Sequence, residues 1–132
     1  MTYHLLSFFL RLFSYVPFCL LYIISDGLYF FVYYIFRYRR RIVRKNLTES
    51  FPEKSEDDIK KIEKNFYSFF TDNILESLKM FTISRKEMIQ RVKFMNVEEV
   101  NALMRSGKSV SLFLGHYSNW EWMSSIPLHI DK

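Results

Sequence analysis

One cysteine, Cys19, serves the whole chain, so neither a disulfide framework nor a thiolate metal site can be assembled from it. No internal repeat and no low-complexity segment occurs, which sets aside repeat arrays and compositionally biased tails. Ser109, Ser111, Ser118, Ser124 and Ser125 offer hydroxyls, but none lies in a G-x-S-x-G setting, which disfavours a serine hydrolase. The apolar N-terminal stretch has no small-x-small cleavage site after it. With its length and the basic run after it, this argues against a secretory signal peptide. Acidic residues are also missing between Arg37 and Lys45, where Arg37, Arg39, Arg40, Arg41, Arg44 and Lys45 gather. At 132 residues there is room for one domain at most.

The net charge of +5 is therefore unevenly spread, and aromatic residues reach 19% of the chain, many of them before Tyr38. Aromatics beside an arginine cluster point to a membrane interface before they point to nucleic acid. From Leu12 to Phe36 the sequence reads LFSYVPFCLLYIISDGLYFFVYYIF. As a helix this stretch rises about 37 Å, enough to cross a hydrocarbon core of about 30 Å with some tilt. Asp26 opposes insertion by roughly 3 kcal/mol, but the surrounding Leu, Ile, Phe and Val residues outweigh it. Two geometries are open: one tilted span, or a shallow hairpin turning at Asp26–Gly27. By the positive-inside rule the arginine cluster, and the chain beyond it, stays cytoplasmic.

RIVRKNLTESFPEKSEDD then reads as a connector, ending at a capping-box-like Ser55 and Asp58. Ile59, Ile62, Phe66, Phe69, Phe70, Leu75 and Leu78 come next at helical spacing, predicting a helix from about Glu56 to Met80 with this stripe buried. Ser84 with Glu87 starts a short helix, and Val92–Met95 has strand character. Val97–Arg105 reads as a helix closed by Ser106–Gly107, and SVSLFLG as a strand ending at Gly115. Another helix starts near Trp120, with Asn119 as N-cap and Pro127 limiting its length. This order of elements predicts an α/β layer architecture.

The chemistry concentrates in LGHYSNWEW, Leu114 to Trp122. A histidine at a strand exit and a carboxylate at a helix start suit a base and its orienting group. Neutral imidazole takes a proton at one nitrogen while a carboxylate on the other fixes the tautomer. His116 and Glu121 have those properties, although their spacing alone is common.

GHYSNWEW closely resembles the form of the H-x-x-x-x-[DE] motif found in the bacterial lipid A biosynthesis acyltransferases. RKNLTESFPEKSEDD, NFYSFFTDNILESLKM and KSVSLFLG resemble the family's blocks upstream of it. Ser118 departs from the glycine usual between the histidine and asparagine, and Tyr117 from the usual phenylalanine. The resemblance implies a membrane-anchoring helix with its basic flank over 1–41. It further implies that 42–132 is the first part of a glycerolipid-acyltransferase-like α/β domain, whose remainder would lie beyond Lys132. It implies transfer of an acyl chain from acyl-acyl carrier protein to a hydroxyl of a lipid A precursor, at the cytoplasmic side of the bacterial inner membrane. His116 would be the base and Glu121 its orienter, with Gly115, Asn119 and Trp120 supporting the motif. No metal and no cofactor is called for, because the thioester supplies the activation; no oxyanion stabiliser is visible up to Lys132.

Beside this stand blander readings. A metal site of His116, Glu121 and His129 has ligand types without a recognised spacing. Arg85, Lys86 and Arg91 read as solvated charge before they read as a docking face for the carrier protein. Another glycolipid or aminolipid acceptor, or a non-catalytic membrane-anchored interaction protein, are the alternatives.

Overall fold

The computed structural model describes residues 2–131. It divides into two units, Met1–Phe81 and Thr82–Lys132.

In the first unit, α1 (Thr2–Ser14) ends because Pro17 lies three residues on. Proline lacks an N–H and steers its predecessor out of the helical region. The chain therefore turns over Tyr15–Val16 and restarts as α2 (Phe18–Phe30), which continues into a wide π-helical turn over Phe31–Ile35. Among the described residues, Phe18–Ile35 is the one stretch long and apolar enough to cross a membrane, at 18 residues and a mean hydropathy of 1.7. Asp26 and Gly27 lie inside α2 without a turn. The break in the apolar stretch thus falls at Pro17, and of the two open geometries the hairpin turning at Asp26–Gly27 is not formed.

Arg37 and Arg39 both take left-handed backbone angles, φ 49° and 52°, and turn the chain into α3 (Arg40–Ser50). A helix stands where the sequence pattern predicts only a connector. The Arg, Lys, Leu and Glu content favours a helix, and Arg40 and Arg44 tie it to Glu63. α4 (Glu56–Lys79) opens where Ser55 Oγ accepts the Asp58 N–H at 3.2 Å. Glu56, Asp57 and Asp58 in its first turn complement the helix dipole.

The buried face of α4 is the i, i+4 row Ile59, Glu63, Tyr67, Thr71, Leu75 and Lys79. The expected aromatic stripe is not the core, since Phe66 and Phe69 are each 43% exposed. α2 and α4 run antiparallel. Tyr33 meets Tyr67 with ring centroids 5.4 Å apart, Tyr22 Oη donates to Glu76 Oε1 at 2.8 Å, and Lys79 Nζ donates to the Val16 carbonyl at 3.0 Å. α2 buries Phe18, Leu21, Ser25 and, in its final turn, Tyr33. It leaves Leu20, Ile23, Ile24, Phe30, Phe31 and Ile35 exposed.

The second unit holds α5 (Arg85–Arg91), α6 (Val97–Arg105) and a 3₁₀ helix, Trp120–Leu128. Ser84 caps α5 by accepting the Glu87 N–H at 3.1 Å. Gly107, at φ 78°, ends α6 in the left-handed conformation glycine adopts freely. Asn101 Oδ1 accepts the Asp131 N–H at 2.8 Å, and Phe94 packs edge-on to His129 with centroids 4.9 Å apart.

The α/β expectation is overturned: among the described residues there is no strand, and the architecture is helical. Residues 108–117 form neither helix nor strand, since a strand exists only through ladder bonds to a neighbour. This segment has none among the described residues, and Phe113 is 96% exposed. Val92 is extended, at φ −107° and ψ 125°, but residues 92–94 likewise form no strand.

Candidate functional site

His116 sits at the apex of a three-residue turn closed by the Tyr117 N–H on the Gly115 carbonyl, at 2.9 Å. Its imidazole meets the Trp120 indole edge-on, with ring centroids 4.7 Å apart. Ser118 takes a left-handed φ of 58°, and Asn119 (φ −80°, ψ 81°) is the apex of a second tight turn closed by Trp120 N–H on Ser118 O at 3.0 Å. The position at which Ser118 replaces the usual glycine is thus one where the backbone favours glycine. Glu121 lies in the first turn of the 3₁₀ helix, exposed.

The motif residues therefore share one exposed segment, but no hydrogen bond or ion pair joins His116 to Glu121 among the described residues. Asn119 precedes the 3₁₀ helix without donating or accepting a side-chain capping bond. A Cβ at Gly115 would meet nothing within 4 Å, so neither space nor backbone angle demands glycine there. His129 packs on Phe94, and among the described residues no three His, Cys, Asp or Glu side chains cluster as metal ligands would.

A second cluster, in the first unit, is one that the sequence pattern does not single out. Glu63 is completely buried. Its Oε1 accepts Arg40 Nε at 3.0 Å and its Oε2 accepts Arg44 Nε at 2.6 Å. Arg40 lies over the Tyr33 ring at 4.1 Å and donates through Nη2 to the Tyr33 hydroxyl at 3.3 Å. Tyr67 completes the cluster by donating its hydroxyl to the Tyr38 carbonyl. Burial pushes the Glu63 carboxyl up, but hydrogen bonds from Arg44, Arg40 and Tyr33 outweigh it and hold the group below the ordinary glutamate value. The Tyr67 phenol is pushed up by burial and by the charge on Glu63. Next to this cluster lies a cavity of about 430 Å³ lined by Arg37, Arg40, Arg41 and Arg44.

Two signals could have exposed this cluster. Glu63 stands on the same helical row as Ile59 and Tyr67, a carboxylate at an inward position. The arginine run also has no acid of its own, so any neutralising partner had to come from another element.

No curated protein and no solved structure matches the chain. The sequence profile of the bacterial lipid A biosynthesis acyltransferases does match, over residues 1–129. That span takes in the apolar helix, the arginine cluster, Glu63 and the His116–Glu121 segment together, and the chain belongs to that acyltransferase family.

Proposed function

We propose that this chain transfers a fatty acyl group from acyl-acyl carrier protein to a hydroxyl of a lipid A precursor at the cytoplasmic face of the inner membrane. Family membership over residues 1–129 carries this reading, because it spans the His116–Glu121 motif together with the apolar helix. The outward apolar face of α2 supports the membrane location.

His116 takes the proton of the acceptor hydroxyl, and the oxygen attacks the thioester carbonyl. As the tetrahedral intermediate collapses, the carbon–sulfur bond breaks, an ester forms, and the leaving thiolate recovers the proton from the imidazolium. Glu121 holds the imidazole in the productive tautomer. Such catalytic hydrogen bonds are often loose without substrate and tighten in the Michaelis complex. Trp120, already against the His116 ring, limits where that ring can turn. The activation resides in the thioester, so the step requires no metal or cofactor.

The test is transfer by the full-length His116→Ala and Glu121→Ala proteins in membranes. Loss of a general base lowers the rate by roughly 10²–10⁴-fold. His116→Ala should show that loss with membrane association intact, and Glu121→Ala a substantial part of it. Undiminished transfer by both variants would remove His116 and Glu121 from the mechanism. Absence of transfer by the wild-type protein would leave the second reading, a non-catalytic membrane-anchored protein, which the missing His116–Glu121 bond favours. Comparing the lipids of deletion and wild-type cells by mass identifies the acceptor: an acyl group lost from lipid A supports the proposal, and one lost from another glycolipid or aminolipid corrects it.

A further inference from the structure

We propose that Arg37, Arg40, Arg41 and Arg44 form a cradle for the phosphate headgroup of an anionic membrane lipid. The cradle is independent of the acyl-transfer reading and stands even if His116 is inert.

The cavity these four arginines line, about 430 Å³, falls within the roughly 300–1,000 Å³ of small-molecule sites and exceeds what a bare phosphate needs. Its charge is out of balance. The salt bridges place a single carboxylate, Glu63, against two of the guanidinium groups, and Arg37 and Arg41 pair with no acid among the described residues. Glu63 offsets one of the four positive charges, and the excess that remains favours a further anion.

The cradle is also built in advance. Glu63, completely buried, takes the Nε edge of both Arg40 and Arg44 at 3.0 and 2.6 Å. A guanidinium held by Nε can keep terminal nitrogens for a second partner, and its planar fork matches phosphate oxygens. Arg40 spends both of its own on the Tyr33 carbonyl and hydroxyl, at 3.5 and 3.3 Å, and acts in the cradle through its charge. The terminal nitrogens of Arg44 make no hydrogen bond among the described residues. A carboxylate that served only to neutralise surface arginines would not need to be buried between two of them.

Position selects a lipid as the source of the phosphate. The cradle begins two residues after Ile35, where the apolar stretch Phe18–Ile35 ends. If that outward apolar face enters the bilayer, the arginines lie at headgroup depth, where basic residues next to an inserted helix meet anionic lipid.

Calorimetric titration of the full-length protein in neutral detergent tests this with three probes: short-chain phosphatidic acid, the diacylglycerol with the same chains, and inorganic phosphate. Phosphatidic acid should bind and the diacylglycerol should not. The Arg37→Gln/Arg41→Gln protein keeps the Glu63 pairs, so it should fold as wild type and bind phosphatidic acid at least about tenfold more weakly. Lys60→Gln/Lys61→Gln removes the same charge elsewhere and should leave binding within about twofold. Equal binding of the two lipids, or wild-type affinity in the arginine variant, overturns the cradle. An equal loss in both double variants reduces it to net charge. Displacement of phosphatidic acid by an equal concentration of inorganic phosphate would make the ligand the free anion, against the proposal.

Discussion

The two units are held together differently. In the first, the ties reach far along the chain: Lys79 to Val16, Tyr22 to Glu76, and Arg40 and Arg44 to Glu63. Most of them engage polar groups on the buried row of α4. In the second, Met88 is the one buried apolar side chain among the described residues, and the motif segment stands in the open, with Tyr117 89% exposed. The first unit is therefore a set framework. The segment that would carry the chemistry is fixed mainly by tight turns and by Trp120.

The sharpest way to test that contrast is to remove Glu63. Breaking a buried ion pair by taking away one partner costs about 3–5 kcal/mol. Here Glu63→Ala leaves two arginines facing an empty site. Hydrogen exchange in detergent should show α2 and α4 losing protection by that amount while α5 is unchanged. Equal loss in both units would mean that they unfold as one, and the contrast would fail.

The same residue predicts an acid limit. The Glu63 carboxyl lies below its ordinary value of 4.5 in the fold, so its contribution is fully present above that pH. It is lost as pH falls below 4.5 toward the depressed value, because the unfolded chain then binds the proton first. Glu98, in the second unit, is also held low, by its hydrogen bond from Arg105, but its side chain is 75% exposed and solvent screens the pair. An acid titration of stability should lose most of its slope in Glu63→Gln and little in Glu98→Gln. The reverse ranking would contradict the burial argument.

The local signals were legible in the sequence, and the long-range ones were not. Ser55 and Ser84 marked the starts of α4 and α5 because a cap is satisfied within three residues. The end of α6 at Ser106–Gly107 was visible for the same reason. SVSLFLG carried the apolar composition of a strand but not whether a neighbour would pair with it, and the α/β expectation failed at that point. Glu63 was hidden in a run of lysines, since its burial depends on partners 19 and 23 residues away. The motif residues His116, Trp120 and Glu121 were readable as a pattern, whereas the turn that places His116 on Trp120 was not.

The two caps allow a matched comparison. Replacing an N-cap serine with alanine costs about 1 kcal/mol, and both serines accept an N–H at close to the same distance, 3.2 and 3.1 Å. Ser55→Ala should lower the stability of α4 by about that amount without melting it, because the buried row holds the helix elsewhere. Ser84→Ala acts on a seven-residue helix with little else to support it. Exchange at the Met88 amide, which donates to the Ser84 carbonyl at 2.9 Å, should approach that of unstructured chain. Preserved protection there would show the second unit to be better supported than its burial suggests.

The smallest effect tests the motif segment itself. Ser118 is held at φ 58°, a conformation costing a non-glycine residue about 1–2 kcal/mol. Ser118→Gly removes that cost but gives the unfolded chain about 0.4–1 kcal/mol of additional freedom, so the net gain is only some tenths of a kcal/mol. Ser118→Val is the informative partner, because a β-branched residue is a true outlier in this region. It should cost more than about 1 kcal/mol or force the turn to open. Exchange at the Tyr117 and Trp120 amides, whose bonds close the two turns, should then be unchanged in the glycine variant and accelerated in the valine variant. If valine leaves both amides protected, the left-handed angle at Ser118 does not set the approach of His116 to Trp120. If it frees them, one backbone angle sets the approach of the imidazole to Trp120.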